Sequence, residues 1–414
     1  MSVELRAVTE SEFPDWLRAL RTGFLNEPVV PDALVADRLP HVDLGRTLAA
    51  VDGGRVVATF RSFRQEVSAV GGGGLTADAI TQVTVAPTHR RRGLLSRLMS
   101  MDLAAARERG DAIATLIAAE YPIYGRYGFG PASSSTEWRV DLRRAGLDPR
   151  RTGRPEDGGR VDLSDKAEVL RIGPGLHRRL AGLRAGVTDR SARDWSVGTG
   201  GGQRLEPWTE PYYAVYRSAS GEPEGYVAYR CDDKWGDAKQ PECTLSVRDL
   251  IAVTPAAEHA LWRFVCSVDW VTFVRTGYRA PDDPLPLLLP DPRAATTVSH
   301  TDMMWLRILD VARVLEERTY PVTDGLVLDV RDGDGYAAGR HRLDASPKGA
   351  SCVPTTASAD LVLDVADLSR LVLGDESAVR LALLGRIEEA VPGAAARADL
   401  LFRTPLRPFS PDVF

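Results

Sequence analysis

Lysine is nearly missing from this chain. Lys166, Lys234, Lys239 and Lys348 are the four lysines among 414 residues, so 48 of the 52 basic side chains are arginine. The imbalance reads as the codon usage of a GC-rich genome. Cysteine is equally scarce: Cys231, Cys243, Cys266 and Cys352 form no CxxC pair and have no His at metal-ligand spacing. They read as small buried hydrophobes, not as a disulfide framework or a zinc site. No run approaches the ~18 uninterrupted apolar residues of a membrane span. The opening MSVELRAVTESEFPDW has early acids where a secretory leader has an apolar core, so a cytoplasmic protein is expected. Gly-x-Ser-x-Gly, Walker and HExxH sequences are all absent, and the six His are isolated. Serine-hydrolase, P-loop and zincin chemistry therefore have no foothold. A net charge of −5 gives no general attraction to nucleic acid or an anionic membrane.

What is present is the composition of a folded protein, 44% hydrophobic and 26% charged, in a pattern that alternates between strand and helix. At roughly 150 residues per domain the length suggests about three domains. Phe13 to Leu25 carries apolar residues at helical spacing. Leu48 to Val51 and Arg55 to Phe63 flank Asp52-Gly53-Gly54 as a β-hairpin, because such turns need positive φ. After the glycines 71 to 74 come a strand (Ala79 to Val85), a helix (Arg90 to Arg109, closed by Gly110) and a buried strand (Ala112 to Ala118). Residues 142 to 165, rich in Arg, Gly, Pro and Asp, read as a connection.

A weaker version of the same order follows. A helix (Lys166 to Arg184) precedes a hairpin (Tyr213 to Arg217, Tyr226 to Arg230), then a strand (Leu245 to Pro255) and a helix (Ala256 to Val268). Beyond the proline-rich segment Pro281 to Pro292 the pattern changes to DVARVLEER, LVLDVRDGDGYAAG, ADLVLDV and LSRLVLG, an α+β unit. Trp195, Trp208, Trp262, Trp270 and Trp305 read as core residues before pocket residues.

The segment richest in chemistry is Val83-Thr84-Val85-Ala86-Pro87-Thr88-His89-Arg90-Arg91-Arg92-Gly93-Leu94-Leu95-Ser96. A strand meets a turn, and arginines and a glycine stand where the next helix begins. A helix start offers unpaired N–H groups and the positive end of the macrodipole, and a glycine leaves room for close approach. A diphosphate suits such a site. The second copy provides an internal control: Pro255 is followed by Ala256, Ala257, Glu258 and His259, with neither arginine cluster nor glycine, so that half is not expected to hold phosphates.

This segment resembles the acetyl-coenzyme A motif of the GCN5-related N-acetyltransferases (GNAT). The resemblance implies that the pyrophosphate lies over Arg91, Arg92, Gly93, Leu94, Leu95 and Ser96, and that the pantetheine arm pairs with Val83, Thr84 and Val85. It also places the thioester oxygen on the Val85 N–H and a further cofactor contact at Ala119 and Glu120. Downstream, Tyr124-Gly125-Arg126-Tyr127-Gly128-Phe129 resembles the family's Y-x-x-x-G-F element. There the Tyr is a general acid, a role that a phenol with pKa about 10 can fill for a departing thiolate.

Taken whole, through VTVAPTHRRRGLL, IYGRYGFGPA, DPLPLLLPDPR, MMWLRILDV and a chain end at Phe, the sequence resembles the enhanced intracellular survival (Eis) proteins of actinobacteria. The implied fold is α/β (α+β): a catalytic GNAT domain over 1–150, a degenerate GNAT-like domain over 151–295 and a sterol-carrier-protein-like domain over 296–414, in a homohexamer. The implied reaction is acetyl transfer from acetyl-CoA to a primary amine of aminoglycoside, polyamine or lysine type. No metal is needed, and the α-carboxylate of Phe414 serves as base. An α-carboxyl, with pKa about 3.5, needs desolvation for that task, which Phe409, Val413 and the Phe414 ring are expected to supply.

Two positions depart from the aminoglycoside-acetylating members. Val413 stands where they carry an acid before the terminal Phe, and Asn26, next to Glu27, replaces an acid after the first helix. Both departures weaken the case for a polycationic acceptor. The rival reading is a non-catalytic protein that senses acyl-CoA or carries lipid in its third domain; Tyr124 argues against it.

Overall fold

The computed structural model describes residues 3–146 and 158–414. Part of the connection expected over 142–165, and the boundary expected at 150, lie outside the described residues.

Three sheets organise the chain. The first runs β1 (Glu4–Ala7), β2 (Thr47–Asp52), β3 (Arg55–Ser68), β4 (Gly74–Val85), β5 (Ile113–Ile117), β14 (Met304–Ile308), β6 (Gly130–Pro131). The second runs β13 (Ala295–Asp302), β7 (Ser134–Asp141), β12 (Val271–Arg275), β11 (Cys243–Ala252), β10 (Pro223–Cys231), β9 (Tyr212–Arg217), β8 (Arg160–Ser164). The third holds the last five strands between Asp324 and Glu389.

Local chemistry explains the first sheet's helices. In α1 (Phe13–Gly23) the buried Phe13, Trp16, Leu17 and Leu20 form one stripe, and the Trp16 indole donates to the Leu48 carbonyl at 2.9 Å. This bond pins the helix to β2. A short α2 (Asp32–Arg38) follows on from it. Opposite lies α3 (Leu94–Arg109), which buries Leu94, Leu98, Met99, Leu103 and Ala106. The β2–β3 turn places Gly53 and Gly54 at φ +56° and +79°, as its Asp-Gly sequence predicts.

The helix expected from Arg90 instead begins at Leu94. Arg91 (φ +62°) and Gly93 (φ +73°) are left-handed, and a helix cannot run through such residues.

The second sheet repeats the arrangement with α5 (Lys166–Leu183), α6 (Ala192–Gly198) and α7 (Pro255–Val265), which come after α4 (Tyr121–Tyr124) in the chain. Strands cross between the ranges expected from sequence. Strand β7 leaves the first 146 residues to pair with β12 and β13. Strand β14 leaves the last part of the chain to lie between β5 and β6. All five β14 residues are buried. At roughly 1.5–3 kcal/mol for each large apolar side chain removed from water, β14 fastens the later part of the chain to the first sheet.

Two core expectations are corrected. Cys231 is exposed while the other three cysteines are buried, and all four are free. Trp195, Trp262 and Trp305 are buried, but Trp270 is 66% exposed. Trp208, with Trp195, lines a cavity of about 690 Å³ in the second domain.

Candidate active site

Strands β4 and β5 pair in parallel over Ala77–Ala79 alone, so from Ile80 onward the sheet is split. Along this split β4 bulges. Thr84 faces Thr59 and Thr81 faces Arg61, which leaves Gln82 and Val83 opposite Phe60. Gln82 has φ +56°, and the Thr59 hydroxyl holds the bulge by donating to the Gln82 carbonyl at 2.8 Å. Val83, Thr84 and Val85 therefore line an opening whose backbone β5 does not occupy.

The strand delivers the chain to an open helix end. No side chain caps α3, because its N-cap is Gly93, and a β-carbon on Gly93 would meet nothing within 4 Å. Arg91, Arg92, Gly93 and Ser96 are exposed and Leu95 half-buried, while Leu94 turns into the core. The Arg92 guanidinium is braced by the Thr88 carbonyl at 3.0 Å, and Ser96 Oγ meets the Tyr127 hydroxyl at 2.9 Å. Unpaired N–H groups, a helix dipole and nearby guanidinium groups make an anion site.

The equivalent end of α7 is closed. Thr254 caps it, accepting from the Ala257 N–H at 3.2 Å, and its hydroxyl donates to Glu224 at 2.7 Å. A carboxylate stands where the first domain offers arginines, which is the physical meaning of a degenerate copy.

Ala119 and Glu120 follow the end of β5 and lead into α4. Tyr124, 8% exposed, sits edge-on to Phe129 (6.3 Å) and Trp305 (6.5 Å). Burial raises its pKa, and the charges of Glu120 and Tyr127 add to the effect. The phenol thus stays protonated at neutral pH, as a proton donor must.

Phe414 lies on the other side of the sheet. Along β3 the Ser62 hydroxyl donates to Asp102 of α3 at 2.7 Å. Arg61 and Phe63, of the opposite parity, face α1 and α2. The half-buried Phe414 ring meets Phe63 edge-on at 6.0 Å, whereas Tyr124 packs in the α3-side cluster with Leu98 and Phe60. The two residues thus flank the split sheet from opposite faces. Phe409 is buried but Val413 is 62% exposed, and the aromatic ring that meets Phe414 is that of Phe63.

The tail is held by the second domain. Phe409 N–H donates to Ala185 at 3.0 Å, and Ser410 meets Thr188 at 3.1 Å. Asp412 accepts from Arg190 at 2.7 Å and stands 3.2 Å from His177. Arg190 also pairs with Asp249 at 2.7 Å; burial works to raise the carboxyl of the half-buried Asp249, but the Arg190 charge and hydrogen bond outweigh it and hold the group below the ordinary carboxyl range.

Sequence reasoning missed Arg38, Arg61 and Phe63 on the Phe414 side of the sheet. Strand parity could have placed Arg61 and Phe63 together; the approach of Arg38 depends on tertiary packing.

The comparisons agree with this geometry. Residues 4–132 and 186–308 each match an acetyltransferase (GNAT) domain model, and 311–411 match a sterol carrier protein domain. An uncharacterized N-acetyltransferase of Streptomyces avermitilis is 60% identical over 414 residues, covering 100% of this chain and 99% of its own. The N-acetyltransferase Eis of Mycobacterium tuberculosis is 31% identical over 97% of both chains. The crystal structure of Eis1 from Mycobacterium abscessus superposes with TM-score 0.84 at 30% identity, covering 99% of this chain and 100% of that one.

Two GNAT folds, one open and one capped, followed by a sterol-carrier fold define an N-acetyltransferase of the GCN5-related class. The chain belongs to its Eis family. No helix among the described residues is long and apolar enough to cross a membrane.

Proposed function

We propose that this enzyme transfers acetyl from acetyl-CoA to a primary amine by direct attack within a ternary complex. The observation that supports this most is the uncapped start of α3 beside the split between β4 and β5, with the buried, protonated Tyr124 behind it. Arg91 to Ser96 take the pyrophosphate, and Val83 to Val85 pair with the pantetheine arm, with Ala119 and Glu120 across the split. The Phe414 carboxylate, or a water that it activates, takes a proton from the substrate ammonium. The freed amine attacks the thioester carbon while the Val85 N–H stabilises the oxyanion, a contact typically worth a few kcal/mol. As the C–S bond breaks, Tyr124 protonates the thiolate. A homohexamer, on the family resemblance, completes the proposal.

The test is coenzyme A release from acetyl-CoA with a panel of amines. It is run on the wild type, on Tyr124→Phe and on a chain extended by two residues beyond Phe414. Amine-dependent turnover that falls about a hundredfold in both variants supports both roles. An active extended chain removes the terminal base. Acetyl-CoA binding with no turnover on any amine overturns the proposal.

A further inference from the structure

We propose that the acceptor carries a carboxylate or similar anionic group besides its amine, and that Arg61, together with Arg38, binds it. This inference rests on the amine-acetyltransferase reading, and it names the kind of amine.

Arg61 projects from β3 to the face that carries Phe414. Its guanidinium carbon lies 5.6 Å from the centre of the Phe63 ring, and that ring lies 6.0 Å from the ring of Phe414. A cation therefore stands close to the terminal residue, on the side opposite Tyr124. The coenzyme's pyrophosphate would sit at the start of α3, against the other face, so Arg61 has no place in that site.

Among the described residues no carboxylate forms an ion pair with this cation, and Asp194 and Asp43 act on it only from a distance. Arg61 Nε is buried without a hydrogen-bond partner. Among the described residues the guanidinium groups of Arg61 and of Arg38, the last residue of α2, form no ion pair or hydrogen bond. Burial lowers the pKa of Arg61, and the charges of Arg38 and Arg46 lower it further. Burial likewise lowers that of Arg38, with Arg21 and Arg193 acting in the same direction and only Asp37 opposing within its surroundings.

The acids nearby make their hydrogen bonds to other groups. Asp37 is paired with Arg193, Asp43 accepts the Gly45 N–H at 2.9 Å, and Asp194 accepts from the Ser191 backbone and hydroxyl at 2.8 and 2.7 Å. Half-buried guanidinium groups left in this state cost the free enzyme stability. A carboxylate offers two oxygens to the planar donor fork of arginine and meets that need.

The experiment compares matched acceptors: ω-amino carboxylates of increasing length, the carboxamide of each, and the diamine of equal length. Coenzyme A release is followed with the full-length enzyme, and melting curves verify that each variant is folded. The expected result is that at the best length the carboxylate exceeds both partners in kcat/KM by about tenfold or more, mainly through KM. Arg61→Gln and Arg38→Gln each shrink this preference, and Arg61→Glu turns it toward the diamine.

A wild type that favours the diamine or the amide overturns the proposal. So does a preference that survives both glutamine variants, or a rise in acetyl-CoA KM in Arg61→Gln with acceptor preference intact. If no amine is turned over, the acetyltransferase reading fails by itself. Calorimetric titration with the amino carboxylates then decides the anion site: binding lost in Arg61→Gln supports it, and equal affinity overturns it.

Discussion

The guanidinium of Arg307 fills the space that a side chain at Gly128 would need: an added β-carbon would stand 2.6 Å from Arg307 Nε. Arg307 is fully buried and pairs with Asp332 at 2.7 Å. It therefore cannot yield without exposing or breaking a buried ion pair, which is costly. Gly128 is also left-handed, at φ +77°, a conformation that costs other residues roughly 1–2 kcal/mol. Gly128→Ala is thus expected to lower the melting temperature and, by shifting Tyr124, whose carbonyl accepts from the N–H of the adjacent Phe129, to reduce kcat at least tenfold. Thermal denaturation and coenzyme A release check this; unchanged kcat in a destabilised variant would separate the Arg307 contact from the chemistry.

Both ends of α3 are glycines in the left-handed region, Gly93 at φ +73° and Gly110 at φ +79°, and a β-carbon on either meets nothing within 4 Å. Alanine at each position should therefore cost similar stability, roughly 1–2 kcal/mol for the backbone alone. Only Gly93 stands where the pyrophosphate is proposed to bind. Gly93→Ala is expected to raise the KM for acetyl-CoA about tenfold, while Gly110→Ala leaves it near the wild-type value. Equal KM values in two equally destabilised proteins would remove phosphate binding from this turn.

The elements that sequence made legible are those whose signal is local. The stripe Phe13, Trp16, Leu17 and Leu20, the Asp-Gly hairpin and the strand running into Pro87 each announce themselves within a dozen residues. The apolar spacing of Leu94, Leu95, Leu98, Met99 and Leu103 predicts a helix from Arg90, but the left-handed Arg91 and Gly93 delay its start to Leu94. The exchange of β7 and β14 was not legible, because a buried strand such as Met304–Ile308 shows its burial in sequence but not its neighbour. The anchoring of Asp412 by Arg190 and His177 was hidden in the same way, since the partners lie more than 200 residues apart. In the candidate site the turn proposed for phosphate and Tyr124 were carried by motifs that resemble a family's, whereas the charge of Arg38 reaches Arg61 only in the folded chain.

Below the first sheet, Asp78 and Asp102 form a buried acidic pair with a measurable pH signature. Asp78 accepts from Arg46 and, at 2.7 Å, from Arg109. Asp102 accepts from Ser62. The second oxygen of each carboxyl has no donor, so one proton held between them satisfies both. Burial first, and then the charge of Asp78, push the Asp102 carboxyl up to about 9, far above its unfolded value near 4. Below pH about 4 both folded and unfolded chains carry this proton, and the pair imposes no penalty. Between about 4 and 9 the unfolded chain has released its proton and the native state retains it, so stability falls as pH rises. Above that window both states are ionised and the loss levels off. Asp102→Asn removes this titration and leaves an amide that can donate to Asp78 while its oxygen accepts from Ser62. The variant's melting temperature should exceed that of the wild type at pH 8, and the difference should shrink steadily as the pH is lowered toward 5. A difference of constant size across that range would mean that Asp102 does not hold the proton in the native state.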